Sequence, residues 1–216
     1  TDAPAEVKAR AVAQLRLFLP TKWKSLQGGK ELGAAIDDLL KSSPVTGLQL
    51  VAAANAVDRV DAVAELVGGK EHPANVRREA IRTLGKLKTM KSTEQLAAAI
   101  LFANEPALQA EAVRALGTQV SGQPKDEVGA MAMKSLQTPL APTGVAKELQ
   151  LVAVEALAGS RAGTDWLLQL KESGKFPKDV DTDTGRFLRN SPFEVQRAKA
   201  QRLFPAPGKI NPKNLP

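Results

Sequence analysis

The decapeptide VRREAIRTLG, residues 76–85, sets Val76, Ala80, Ile81 and Leu84 at spacings i, i+4, i+5 and i+8. At about 100° per residue these four side chains share one face of an α-helix. The same frame returns as Leu108, Ala112, Val113 and Leu116 in LQAEAVRALG, and as Leu149, Ala153, Val154 and Leu157 in LQLVAVEALA. Near the N-terminus Val7, Ala11, Val12 and Leu15 repeat it. Two looser copies are Leu48, Ala52, Ala53, Ala56 and Val195, Lys199, Ala200, Leu203. Successive copies start 41, 28, 32, 41 and 46 residues apart. Uneven periods of roughly 30–45 residues are what two-helix repeat units produce. The small alanine in each frame lets a neighbouring helix come close, and the larger residues fill the space beside it.

Partner helices are expected between the copies, near 30–42, 59–68, 92–104, 124–136 and 163–172. Ser92 with Gln95 and Ser191 with Glu194 have capping-box spacing, and Pro4, Pro106 and Pro192 suit a first helical turn. Gly85 and Gly117 follow the last apolar residue of their frames and read as C-terminal stops. The tetrapeptide GGKE occurs at 28–31 and 68–71 and marks two tight breaks. The expected fold class is therefore all-α, an α-α superhelix of about five or six helical hairpins. The repeat array should run over 1–173, with an irregular linker at 174–190, a terminal helix at 191–204 and a Pro-rich linker at 205–216.

Composition agrees with thin, closely packed helices. Aromatic residues are 4% of the 216, with no Tyr, so the core must be built from Ala, Leu and Val. The absence of cysteine excludes disulfides, thiolate metal sites, thiol nucleophiles and covalent haem attachment within this sequence. No stretch approaches the roughly 18 apolar residues that span a bilayer. The chain begins at Thr1 rather than Met and is read as a piece of a longer protein. The net charge of +7 is uneven: residues 161–216 carry 11 basic and 6 acidic groups of the total 30 and 23. A basic excess permits a nucleic-acid or membrane-surface partner without requiring one.

Segments 73–87 and 105–117 resemble the second helix of HEAT repeats in their apolar frame and Leu-Gly ending. The resemblance covers about 3–172 and extends to 191–204. In that family an Arg after the first aliphatic residue helps form a polar ladder between repeats. This sequence holds Lys8, Gln49, Arg77, Gln109, Gln150 and Gln196 there, which suggests a shared polar row in place of a charged ladder. The resemblance implies scaffold or binding work, with no catalytic residues and no cofactor. The array ending in RLFPAP, 202–207, is also similar to the HEAT-repeat segment of large planctomycete-type bacterial membrane-bound dehydrogenase or c-type haem-binding proteins. That second resemblance implies an extracytoplasmic spacer beside redox domains, with any haem beyond Pro216.

Candidate binding residues follow from the helix around 76–87, where Arg78, Arg82 and Lys86 point away from the apolar face. They would form a basic patch on the concave side of a stack, with Arg114 at the equivalent place in the next copy. The other equivalent positions, among them Ala13, Asp58 and Glu155, break any basic stripe. A nucleic-acid groove needs several phosphate contacts in a row and favours aromatic stacking, so these cations read as an ordinary solvated face or a contact for an acidic partner, and the expected partner is a protein or a neighbouring domain of the same polypeptide. A HEAT-like nucleic-acid-binding or DNA-repair domain is the alternative. Leu17, Leu50 and Leu151 would also lie on the nominally exposed face, in helices apolar nearly all round. Such helices are usually covered on both sides, either by this chain or by a partner.

Asp179, Asp181 and Asp183 have the DxDxD spacing of a calcium loop, which brings three carboxylates toward one hard cation. Thr184 stands at the usual glycine position and Asn190 where a bidentate Glu belongs, which favours a solvated linker. His72, the single histidine, precedes Pro73 in an expected turn and has no second His or Cys as a partner. No nucleophile elbow or phosphate loop is present. The pairs Asp37–Asp38 and Asp126–Glu127 are adjacent along helices and do not converge. Trp23 and Trp166 read as hairpin-packing residues.

Overall fold

The computed structural model describes residues 4–103, 105–120, 126–141 and 144–206. Among these residues the fold is all-α, with twelve α-helices and no strand. In chain order they are α1 (Ala5–Phe18), α2 (Lys30–Ser42), α3 (Pro44–Ala54), α4 (Val60–Gly68), α5 (Ala74–Leu87) and α6 (Met90–Phe102). They continue as α7 (Pro106–Gly117), α8 (Glu127–Gln137), α9 (Lys147–Ala158), α10 (Arg161–Glu172), α11 (Asp181–Arg189) and α12 (Glu194–Leu203).

The odd-numbered helices from α1 to α9 pack in sequence, each against the next. A second layer lies along them: α2 packs on α3, α4 on α5, and α6 on both α5 and α7, while α8 bridges α7 and α9. The repeated frame is what the layers bury. Ala80, Ile81, Leu84, Ala112, Val113, Leu116, Ala153, Val154 and Leu157 are all fully enclosed. Burying each aliphatic side chain is worth about 1.5–3 kcal/mol, which makes this repeated face the main source of cohesion.

Several expectations are corrected by the packing. In α3 the buried face runs through Gly47, Leu48, Leu50, Val51 and Ala54, while Ala52, Ala53 and Ala56 are half-buried. Gly47 causes this approach: a Cβ there would stand 2.6 Å from the backbone nitrogen of Leu40 in α2. Gly85 is inside α5 and stops nothing, because the helix ends at Lys88, whose left-handed φ of 49° turns the chain. Ser92 is the third residue of a capping box whose N-cap is Thr89; each side chain accepts a bond from the other's backbone nitrogen, at 2.9 and 3.0 Å. Ser191 likewise caps nothing directly, since α12 begins at Glu194 and the Ser191 hydroxyl accepts from Phe193 N at 3.3 Å.

Residues 174–190 are no irregular linker, for they contain α11, packed on both α9 and α12. Helix α11 takes the place beside α9 that the repeat frame had assigned to α12. Helix α12 instead packs on α10 and α11, and its frame residue Val195 is 76% exposed. Phe204 closes this end, its ring edge-on to Phe176 at 5.7 Å. The Pro-rich segment expected after it lies almost wholly outside the described residues.

Candidate interaction surface

Polar side chains recur at the ladder position, and the contact of Arg77 with Glu105 passes from one helical pair to the next. Arg77 is buried in α5, where its Nε donates to the Val67 carbonyl of α4 at 3.0 Å and its Nη1 bonds Glu105, the N-cap of α7. Gln109 repeats the first contact one unit on, donating to the Ile100 carbonyl of α6 at 3.0 Å. Gln150 is buried too, and buried Gln196 donates to Asp165 of α10 at 2.9 Å. Each satisfied carbonyl lies in the last turn of an outer helix, where backbone acceptors lack intrahelical partners. Lys8 stays in solvent and Gln49 is half-buried.

Other ion pairs tie neighbouring units from outside. Arg59 donates to Asp37 of α2 through Nε and Nη2, both at 3.0 Å, and also pairs with Asp58. The hydrogen-bonded Arg59 guanidinium holds the Asp37 carboxyl below its ordinary range, and that carboxylate in turn raises Arg59. Lys91 of α6 meets Asp61 of α4 at 2.7 Å.

Arg78, Arg82, Lys86 and Arg114 are all exposed on α5 and α7. They are not equivalent. Arg82 donates to Glu111 at 2.6 Å and lies 3.8 Å from Glu79; Arg114 lies 3.9 Å from the same Glu111. The Glu111 hydrogen bond raises the Arg82 guanidinium further above its ordinary value. Arg78 and Lys86 make no ion pair among the described residues. Glu79 and Glu111 therefore interrupt the basic patch at its centre.

Beside Lys86 a shallow groove of about 610 Å³ runs between α1, α3 and α5. Its apolar lining includes Ala13, Leu17, Ala52 and Ala53, and its polar lining is Arg16, Lys86, Gln49 and the acid Glu79. Leu17 is 61% exposed there. Leu50 is not part of this surface. It is fully buried, because α3 is enclosed by α1, α2 and α5 of the same chain. Leu151 is half-buried and packed against the core. Sequence reasoning gave the three leucines one status because a helix apolar all round does not reveal which neighbours cover it.

The aspartate run does not converge. Asp179 lies in a short 3₁₀ turn, Asp181 pairs with Lys171 at 2.5 Å, and Asp183 pairs with Lys147 of α9 at 3.3 Å. Among the described residues no three His, Cys, Asp or Glu side chains gather where they could hold a metal ion. His72 is half-buried at 3.4 Å from Glu71. Trp23 packs on Phe18 with ring centroids 5.0 Å apart, and Trp166 lies half-buried against the core. Among the described residues no helix is long and apolar enough to cross a membrane. Phe102, at the end of α6, is 78% exposed and lies outside the repeat frame. Comparison with known protein families, curated proteins and solved structures finds no match to this chain.

Proposed function

We propose that the chain is a non-enzymatic docking module, a HEAT-like superhelical stack whose inner row of helices receives a protein partner or a neighbouring domain of the same polypeptide. The observation that carries this reading is the groove between α1, α3 and α5. It joins an exposed apolar surface, including Leu17, to a mixed polar border of Arg16, Lys86 and Glu79. Apolar area with a charged border is the common make-up of protein interfaces. Glu79 and Glu111 weigh against a phosphate backbone as the ligand, since they neutralise the middle of the cationic patch.

An anionic dye that brightens in apolar surroundings, such as anilinonaphthalene sulfonate, tests the reading. The chain should enhance its emission, and Leu17→Asp or Lys86→Glu should remove most of that enhancement with the far-ultraviolet circular dichroism unchanged. No enhancement, or variants as bright as the parent chain, would count against the groove. A salt-sensitive shift of duplex DNA abolished by Arg78→Glu would favour nucleic acid instead.

A further inference from the structure

One buried side chain at the ladder position finds no partner in the stack. Arg77, Gln109 and Gln196 each donate to a neighbouring helix. Gln150 holds the same place in α9 and is 7% exposed, yet its amide makes no hydrogen bond among the described residues. That amide is not sealed in. Among the described residues the Thr184 hydroxyl is the one fully enclosed side-chain polar atom without a partner, so the Gln150 amide reaches open space. A buried amide left dry is costly, and water or a ligand must meet it.

The open space is a cleft of about 680 Å³ bounded by α9, α10, the turn after α8 and the segment 174–179. Leu140, Trp166, Leu170 and Phe176 supply its apolar walls. Phe176 is fixed by its edge-on contact with Phe204, and Trp166 is half-buried. The polar lining is Gln137, Gln150, Lys175, Lys178 and Asp179. Clefts of about 300–1,000 Å³ with apolar walls and a few fixed polar groups are where small molecules bind. The exposed Lys175 and Lys178 outnumber the single acid Asp179, and none of the three is in an ion pair among the described residues. The cleft therefore favours an anion. An extended peptide would bring a row of backbone donors and acceptors that all need partners; a flat ring needs them along one edge.

We propose that this cleft binds a small anion whose flat ring carries a hydrogen-bond donor beside an acceptor, the chemistry of an adenine nucleotide. The Gln150 carboxamide presents an accepting carbonyl next to a donating amino group, which matches the amino group and ring nitrogen along one edge of adenine in two parallel bonds. Trp166 and Phe176 give the ring apolar contact, and Lys175 and Lys178 meet the phosphate. The cleft shares no residue with the groove between α1, α3 and α5, so either site can fail without the other.

Trp166 reports on the cleft directly, because Trp23→Phe leaves it the only tryptophan of the chain. In that background adenosine monophosphate should change the Trp166 emission saturably, and calorimetry on the parent chain should return the same affinity. Two analogues divide the contacts: purine riboside monophosphate lacks the amino group, and adenosine lacks the phosphate. Each should bind about tenfold more weakly than adenosine monophosphate. Gln150→Leu removes the reading edge but no bond that the fold uses, so it should keep the urea midpoint and erase the preference for the amino group. Lys175→Glu with Lys178→Glu should erase the preference for the phosphate with the far-ultraviolet circular dichroism unchanged. Leu17→Asp should leave every titration as it was. Absence of a saturable change, equal affinities for the three ligands, or a Gln150→Leu chain that still prefers the amino group overturns the proposal and leaves the docking groove untouched.

Discussion

A methyl group on Gly85 of α5 would stand 2.9 Å from the Cβ of Ala115 on α7. The contact recurs one unit later, where a methyl on Gly117 would stand 3.0 Å from the Cβ of Ala156 on α9. These glycines set the distance between inner helices. Gly85→Ala should therefore destabilise, although alanine is the better helix former by about 1 kcal/mol. Overpacking costs about 1–3 kcal/mol, so the net loss in urea unfolding should reach up to about 2 kcal/mol. Adding Ala115→Gly should recover stability relative to the single variant. A stability gain for Gly85→Ala alone would mean that the two helices stand farther apart.

Arg77 should be the costliest polar residue to remove from the stack. Its side chain is 10% exposed and joins three helices through Val67 and Glu105. Arg77→Met keeps the aliphatic stem but strands the Val67 carbonyl, and should cost about 1–3 kcal/mol. Arg77→Lys should recover only part of that, because a lysine cannot present the same fork of donors. Glu105→Gln should cost less than about 1 kcal/mol, since that carboxylate is half in solvent. Chemical denaturation of the three variants ranks them.

The inner helices from α5 to α9 were legible because their frames use Leu, Ile and Val at the buried positions. Helix α11 was not, for a specific reason: the residues it and the preceding turn bury are Val180, Thr184, Gly185 and Leu188. Threonine and glycine at two of those places erase the apolar period. The glycine is nevertheless a packing residue, since a Cβ at 185 would stand 2.8 Å from the Cβ of Phe204. The register of α3 was hidden by a different ambiguity. In the run Ala52, Ala53, Ala54 only the last is buried, and three identical side chains in a row carry no phase. The cations on α5 and α7 were visible as residue types, but their pairing was not. Glu111 is distant in sequence from Arg82 and meets it only when α5 and α7 are side by side.

The Asp37–Arg59 pair gives the fold a small acid sensitivity. Arg59 holds the Asp37 carboxyl below its ordinary value, so the folded state favours the ionised form. That contribution is complete above the unfolded value of about 4 and disappears as the pH falls through the lower folded value. Asp37 is half exposed, which limits the effect to below about 1 kcal/mol. Urea midpoints at pH 6 and pH 3 should differ less in Asp37→Asn than in the parent chain. An unchanged difference would show that the pair does not form in solution.

Leu17 and Leu50 provide the sharpest separation of surface from core. The two leucines have similar apolar neighbours in sequence, yet Leu17 is 61% exposed and Leu50 is fully enclosed. Leu50→Ala should open a cavity between α3 and the helices around it and cost about 2–5 kcal/mol. Leu17→Ala should change stability by no more than about 0.5 kcal/mol, because water already covers most of its side chain. The dye signal should show the opposite order: Leu17→Ala lowers it, and Leu50→Ala, measured where the variant is still folded, leaves the groove floor intact. Equal stability losses for the two variants would show that α1 is packed more deeply than the structure has it. In that case the groove beside Lys86 would be filled by the chain itself, with no room for a partner.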